Sequence, residues 1–485
     1  MSVLVVDVGT SQVRAMVVRP DTSVEAVQRV ALPPSSPAPG LVEVDAEAMA
    51  DAVLRCAGRA LAAAGPVEAV GVANQRATTV VWDRASGRPV APALSWQDLR
   101  TVGTCLELQG RGVRLGPSES ATKLAAILDA TDPERSRDLC FGTVDAWVAW
   151  VLSDGGLHVT DATNAGVTGL VTGDGRAWDP AVLDALRVPA GVLPAIVDSS
   201  GMLGPASALP GAPPIAALCG DQQASLVGQG CTGPGMAKAT FGTGAMLDCC
   251  VGATRPPFGR QGPSGTIPIV AWQRGGTITW GVEALVLTAG TCVEWLCDDL
   301  GLLPEPAASD EVAAACPDTG DVWFVPALLG LGTPVWDYGA RGTLLGLTRG
   351  TDRPAVVRAV LEGIAHRGAD LLDAAEADTG LAIQTLRVDG AMSVNHTFVQ
   401  ALADATGRTV EVSREVEATS LGAAFLAGMA VGTWADEHDV AAACRPGRVV
   451  DPSLDDTARA PLRARWLQAR QRAERSIPEL SVLSF

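Results

Sequence analysis

The 485-residue sequence predicts an α/β fold made of two related halves. Two observations predict it. Short β-branched runs alternate with segments whose apolar residues recur at helical spacing. A strand–glycine turn–strand hairpin opens the chain and a second one recurs near its middle. A repeat of about half the chain implies two like domains facing one another. The boundary falls near 228–235, giving domains 1–229 and 230–485.

The elements follow in order. Val3 to Val8 is a β-branched strand that stops at Gly9-Thr10-Ser11; Arg14 to Val18 and Val27 to Ala31 complete a meander. Pro33 to Gly40 is a loop. Helical spacing runs from Asp45, a suitable N-cap, to Ala64, followed by a strand at 67–72. Thr143 to Leu152 reads as a helix and Ile215 to Leu218 as a buried strand. The second half restarts with a strand at 236–240, the turn Gly242-Thr243-Gly244 and a strand at 245–250. A long helix over about 353–377 comes later, then a strand at 385–389, a helix at 395–406, a strand at 410–412 and a helix at 420–428.

Composition excludes several classes. The chain is 47% hydrophobic and 19% charged, as globular proteins are. A net charge of −18 repels nucleic acid and anionic lipid as main partners. Local backbone N–H groups can still hold an anion. Eleven scattered cysteines without a CxxC pair read as reduced thiols of a cytoplasmic protein. The four histidines have no metal-ligand spacing. No stretch is long and apolar enough to span a membrane.

Several segments could carry chemistry. In DVGTSQVRA (7–15) a strand delivers a carboxylate to a glycine turn with two hydroxyls. Such a turn can aim N–H groups at phosphate oxygens, with Asp7 as an oxygen ligand for Mg²⁺ and Arg14 as added positive charge. It can equally be an ordinary Asp-x-Gly hairpin. FGTGAM (241–246) offers a second grip on a triphosphate. Asn74, Gln75 and Arg76 follow a buried strand, where polar residues line a cleft or simply form a loop. Trp96 could cover the carbon face of a polyol or pack in the core. Asp221 follows the strand PIAALC and is either a proton acceptor or a helix cap. DGAMSVN (389–395) either wraps an adenosine or caps a helix through Asn395. The arginine-rich segment 458–475 reads as a solvated helix face with no function.

Taken together and in order, these segments resemble the FGGY carbohydrate kinases, and the glycerol kinases within them most closely. DVGTSQVRA, ANQRATTVVW, SWQD, FGTVDAWVAW, GDQQASLVGQ, GMAKATFGTG, RGTLLGLTRG, LRVDGAMSVN and EATSLGAAFLAG carry the resemblance across nearly the whole chain. It implies two actin-like (ribonuclease H-like) ATPase domains flanking a central cleft, with ATP and Mg²⁺ as cofactors and a small polyol or sugar as substrate. By resemblance Asp7 is the metal carboxylate, and Gly9, Thr10, Ser11 and Arg14 form the first phosphate hairpin. Gly242 and Thr243 form the second, Gly290 contacts nucleotide, and Ala391 and Asn395 fall at the adenosine site. Asp221 matches the catalytic base, and Arg76, Trp96 and Gln222 match substrate contacts.

The pattern breaks at four positions of the two sites. Ala77 stands where the family has Glu, Ser118 where it has Tyr, Met246 where it has Phe, and Ala391 where it has Gly. The Glu and Tyr changes remove polar contacts and add volume, so the expected substrate is longer than glycerol: a tetritol, pentitol or ketose. Ala212 stands where the arginine for fructose-bisphosphate control is expected, so that regulation is not expected here. Two rivals stay open: glycerol itself as substrate, and a non-catalytic actin-like sugar sensor, which would bind without turnover. The sugar-kinase branch with a cysteine-rich zinc motif does not fit, because that motif is absent. Homo-oligomerisation is left open by the sequence.

Overall fold

The computed structural model describes residues 2–414 and 417–483. Its main sheet has 13 strands and consists of two copies of one pattern. In the first half strand Val3–Val8 is central. Gln12–Val18 and then Val24–Ala31 lie antiparallel on one side; Ala69–Asn74 and then Pro214–Gly220 lie parallel on the other. In the second half Ala237–Phe241 is central. Ala245–Gly252 and then Thr277–Val286 run antiparallel on one side; Thr385–Asp389 and then Thr409–Ser413 run parallel on the other. Only the pairing of Ser200 with Arg274 joins the two halves of the sheet. The two like halves are those the repeated hairpins predict, and their arrangement is the actin-like, ribonuclease H-like one that the family resemblance implies.

The sequence explains the layers. Strand Val3–Val8 is wholly buried, as an unbroken β-branched run requires, and has a core on each face. One face is covered by helix Ala46–Ala64, capped by Asp45 as expected: its Oδ1 accepts from the Ala48 N–H at 2.9 Å. The other face is covered by helix Ala418–Val431, which belongs in sequence to the second half. The last helix of the first half, Asp221–Gly228, lies against this crossing helix. A Cβ on Gly228 would stand 1.9 Å from the Ala418 carbonyl oxygen, and one on Gly422 1.7 Å from that of Ala224. Glycine on both helices lets their backbones touch, so the two halves are joined where no side chain fits.

The predicted elements are present, most of them a few residues longer than periodicity alone marks, such as Arg353–Thr379 and Ala418–Val431. Between 80 and 197 sequence reading found helix Val144–Leu152 but missed the elements around it. There, helices Val102–Gly110 and Ser120–Thr131 and the paired strands Val80–Asp83 and Leu139–Gly142 surround their own apolar cluster.

The C-terminal helix Asp456–Ala473 corrects the expectation of a solvated, idle face. Trp466 is 0% exposed, and its Nε1 donates to Asp370 on the long helix at 3.1 Å. Arg463 and Arg470 donate to the same carboxylate at 2.8 and 3.0 Å, and Arg367 at 2.8 Å. Arg463, Trp466 and Arg470 share one face over two turns, so a segment polar by composition has a buried, charge-paired face.

Two predictions follow from this packing. Gly422→Ala is expected to destabilise by about 3 kcal/mol through the backbone clash, whereas Gly58→Ala, with nothing within 4 Å of the new Cβ, should stabilise by about 0.5 kcal/mol; denaturant melts measure both. The second concerns Asp370. Burial raises its pKa, yet Arg367, Arg463 and Arg470 more than offset this and hold it down to about 2. A depressed folded pKa gives stability that is full above the unfolded carboxylate value and is lost as pH falls toward about 2. Between those values the wild-type protein should lose about 2 kcal/mol that Asp370→Asn, already destabilised at neutral pH, does not lose.

Candidate active site

The cleft is built from strand ends. Strand Val3–Val8 brings Asp7 to its carboxyl end, where the carboxylate is 2% exposed. The turn closes by a Gly9 N–H to Gln12 carbonyl bond of 3.0 Å, leaving Thr10 half-buried and Ser11 exposed. The Thr10 hydroxyl accepts from Trp96 Nε1 at 3.3 Å, so Trp96 lies over the first hairpin. Arg14, on the return strand, donates to Asp7 at 2.5 Å and to Glu417 from the other half. Its two terminal nitrogens therefore face carboxylates. Ser420, in the first turn of the crossing helix, also donates to Asp7, at 3.3 Å. Burial raises the Asp7 pKa; Arg14 pulls it back, and the charge of Asp221 pushes it up again.

Strand Pro214–Gly220 delivers Asp221 as the first residue of its helix. Gly220 occupies the cap position, so Asp221 is not the cap. Its side chain keeps 32% of its surface open, and one oxygen accepts from the Gln222 N–H at 2.8 Å. Burial raises its pKa, opposed chiefly by Arg76. Arg76 follows strand Ala69–Asn74. Its Nε lies 3.6 Å from Asp221, and its Nη2 lies 2.7 Å from Glu283 and 3.7 Å from the Met246 sulfur. Burial works against its charge, but Glu283, Asp221 and Asp248 together hold its pKa above the ordinary value. Burial also pushes Glu283 up to about 7, although Arg76 pulls the other way.

Ala77 continues this wall in a left-handed conformation, φ 59°, and is 6% exposed. Its carbonyl accepts from the Ser120 hydroxyl at 3.0 Å. Ser118, two residues before Ser120, is exposed, and Glu119 beside it pairs with Arg260 of the second half at 2.6 Å.

The second hairpin is assembled with its neighbours. Gly242 N–H donates to the Gly244 carbonyl at 2.9 Å, and Thr243 stands exposed at the tip. The Gly290 N–H donates to the Gly242 carbonyl at 2.8 Å, and a Cβ on Gly290 would meet that oxygen at 2.6 Å. Gly390, at φ 88°, packs on the Phe241 backbone, which places Ala391 in a single turn beside the same hairpin. Asn395 caps helix His396–Thr406, accepting from the Phe398 N–H at 2.8 Å, and its amide donates to Ser309 at 3.0 Å.

Sequence reading missed Glu283, Lys238, Asp248, Glu417 and Ser420. Lys238 and Asp248 are each 0% exposed and lie 2.7 Å apart as partners across the second hairpin; Asp248 is also the cross-strand partner of Glu283. The available signal was a lone charge inside each of three apolar strands, since a buried charge requires a partner.

Comparison with known proteins gives the family. Residues 2–228 match the FGGY family of carbohydrate kinases, N-terminal domain, and residues 238–431 its C-terminal domain. The glycerol kinase of Dechloromonas aromatica is 41% identical, covering 97% of each chain; that of Carboxydothermus hydrogenoformans is 38% identical, covering 97% of this chain and 98% of its own. The crystal structure of Plasmodium falciparum glycerol kinase with ADP superposes with a TM-score of 0.90 at 27% identity, over 100% of this chain and 99% of that one. A ligand-bound xylulose kinase from Lactobacillus acidophilus shares the fold, with a TM-score of 0.86 at 19% identity over 97% of both chains. The chain belongs to the FGGY family of carbohydrate kinases and is a phosphotransferase with an alcohol group as acceptor.

Proposed function

We propose that the chain transfers the terminal phosphoryl group of ATP to a hydroxyl of a polyol or ketose of four or five carbons. The observation that carries this reading is the convergence of Asp7 and Asp221 on one turn of the crossing helix, where Ser420 donates to the Asp7 carboxylate at 3.3 Å and Thr419 to the Asp221 carbonyl at 3.4 Å; Asp7 leads into the first glycine hairpin, and Arg76 beside Asp221 reaches Met246, which follows the second. Asp221 accepts the proton of the attacking hydroxyl, which the neighbouring Arg76, Gln222 and Trp96 hold in line. Ala77, Ser118 and Met246 shape the remaining wall. Gly9 and Gly242, whose N–H groups close their own turns, shape the two hairpins, and the hydroxyls of Thr10, Ser11 and Thr243 hold the phosphates, while Gly290, Ala391 and Asn395 border the nucleotide. Arg14, engaged by Asp7 and Glu417, orients Asp7 rather than reaching the phosphates. In this reading the halves divide at 229/230 and the protein works in the cytoplasm.

Asp7 fits Mg²⁺. One of its oxygens takes the bonds from Arg14 and Ser420, the other is left open, and Asp221 supplies a second hard oxygen donor nearby. When bound, the ion neutralises charge on the phosphate oxygens.

The substrate preference rests on Ala77 and Ser118, small residues on one wall. A second reading, glycerol as substrate, is favoured by the relatives at about 40% identity. An ADP-release screen over C3 to C6 polyols and ketoses decides between them. The expected optimum is a C4 or C5 compound; the highest kcat/KM for glycerol by a wide margin would sink the enlarged pocket. Ala77→Glu should raise kcat/KM for glycerol about tenfold by restoring an acceptor.

Asp221→Asn should lower kcat by about 10³-fold or more while nucleotide still binds by calorimetry. Near-normal turnover of that variant removes Asp221 from the mechanism. Because the Asp221 pKa is raised, the acid limb of kcat/KM should lie above the ordinary carboxylate value of 3.8.

A further inference from the structure

Two adjacent residues of the cleft are backed by buried charge in the same way. Asp221 lies against Arg76, which lies against Glu283. Gln222 lies against Lys238, which lies against Asp248. The two acids at the back are cross-strand partners. The second chain of contacts has a consequence for hydrogen bonding.

Lys238 is 0% exposed; its Nζ donates to the Gln222 side-chain oxygen at 2.6 Å and to Thr240 Oγ1 at 3.0 Å, and forms an ion pair with Asp248 at 2.7 Å. An ammonium carries donors and no acceptor, so whatever faces it along a hydrogen bond must accept. The Gln222 side-chain atom facing it has to be the carbonyl oxygen, because an NH₂ group there would bring donor against donor. Asp248 is 0% exposed and balances the lysine charge away from solvent. The amide NH₂ of Gln222 is then the end left for the cleft, next to Asp221, and among the described residues it has no protein partner.

We propose that Lys238, held by Asp248, is a positioning residue that locks the Gln222 side chain as a hydrogen-bond donor, so that this corner of the pocket selects a substrate carrying an accepting oxygen there. An unconstrained glutamine could turn over and serve a donor or an acceptor equally; the buried ammonium removes that choice. Selectivity follows because an acceptor-free substrate leaves the NH₂ unpaired in a closed site. This inference rests on the reading of Gln222 as a substrate contact.

The test uses the preferred acceptor from the C3 to C6 screen and the full-length chain. Gln222→Ala should raise KM about tenfold. Replacing the buried pair by apolar residues, Lys238→Met with Asp248→Leu, should also raise KM about tenfold, with a smaller effect on kcat. The triple variant should be no worse than Gln222→Ala alone, because Lys238 acts only through Gln222. Gln222→Glu in the otherwise native chain keeps a partner for Lys238 and lacks the donor, so it should retain the native Tm yet show the KM of Gln222→Ala. If Gln222→Ala leaves KM unchanged, the substrate-contact reading fails. If Gln222→Ala raises KM but Gln222→Glu does not, or the triple variant multiplies the two separate losses, the locking role of Lys238 is overturned and the contact reading stands.

Discussion

The architecture depends on one helix, Asp221–Gly228, pinned at both ends by constraints of opposite kind. At its far end Gly228 touches the Ala418 carbonyl because neither partner backbone carries a side chain between them. At its near end Asp221 and Gln222 are fixed by charge, through Arg76 and Lys238. The first constraint joins the two halves and the second fixes the two residues proposed as base and substrate contact. A displacement of the crossing therefore reaches the carboxylate through one short, rigid element.

The charge buried beneath the cleft has a cost that a purely structural core would avoid. Arg76, Lys238, Asp248 and Glu283 are nearly or wholly inaccessible, and apolar residues of the same volume would pack there with no desolvation to offset. What the ionised set supplies is orientation. A guanidinium at 3.6 Å favours the charged form of Asp221 against its burial, and an ammonium dictates which end of an amide faces out. In the proposed transfer such fixed orientation is what would count, since preorganised dipoles and charges stabilise a transition state without having to reorganise.

The fold was largely legible in the sequence and the cleft only partly. The hairpins at Gly9 and Gly242, the cap at Asp45 and the buried strand before Asp221 are local signals, and each is where periodicity and turn chemistry put it. Glu283 and Lys238 were overlooked for a physical reason: a single charge in an apolar strand leaves periodicity untouched, and its partner lies on another strand. The arginine-rich tail was misread for the converse reason. Composition marks it as solvated, yet Arg463, Trp466 and Arg470 fall on one face of a helix and converge on Asp370, nearly a hundred residues earlier. Between 80 and 197 the strands span only two to four residues and stayed invisible, whereas helix Val144–Leu152 was legible.

The contacts between the two halves differ in burial and therefore in strength. At the base, Arg14 bridges Asp7 and Glu417, and Ser420 adds a bond to the same buried carboxylate. At the rim, Glu119 meets Arg260, whose side chain is 44% exposed. An exposed pair of this kind contributes about 0–1 kcal/mol and weakens with salt. The base is further held by the glycine crossing, where separation would open backbone contacts to void. The ties between the halves are therefore graded: a buried, charge-paired and backbone-packed base beside Asp7, and a single exposed ion pair between Glu119 and Arg260.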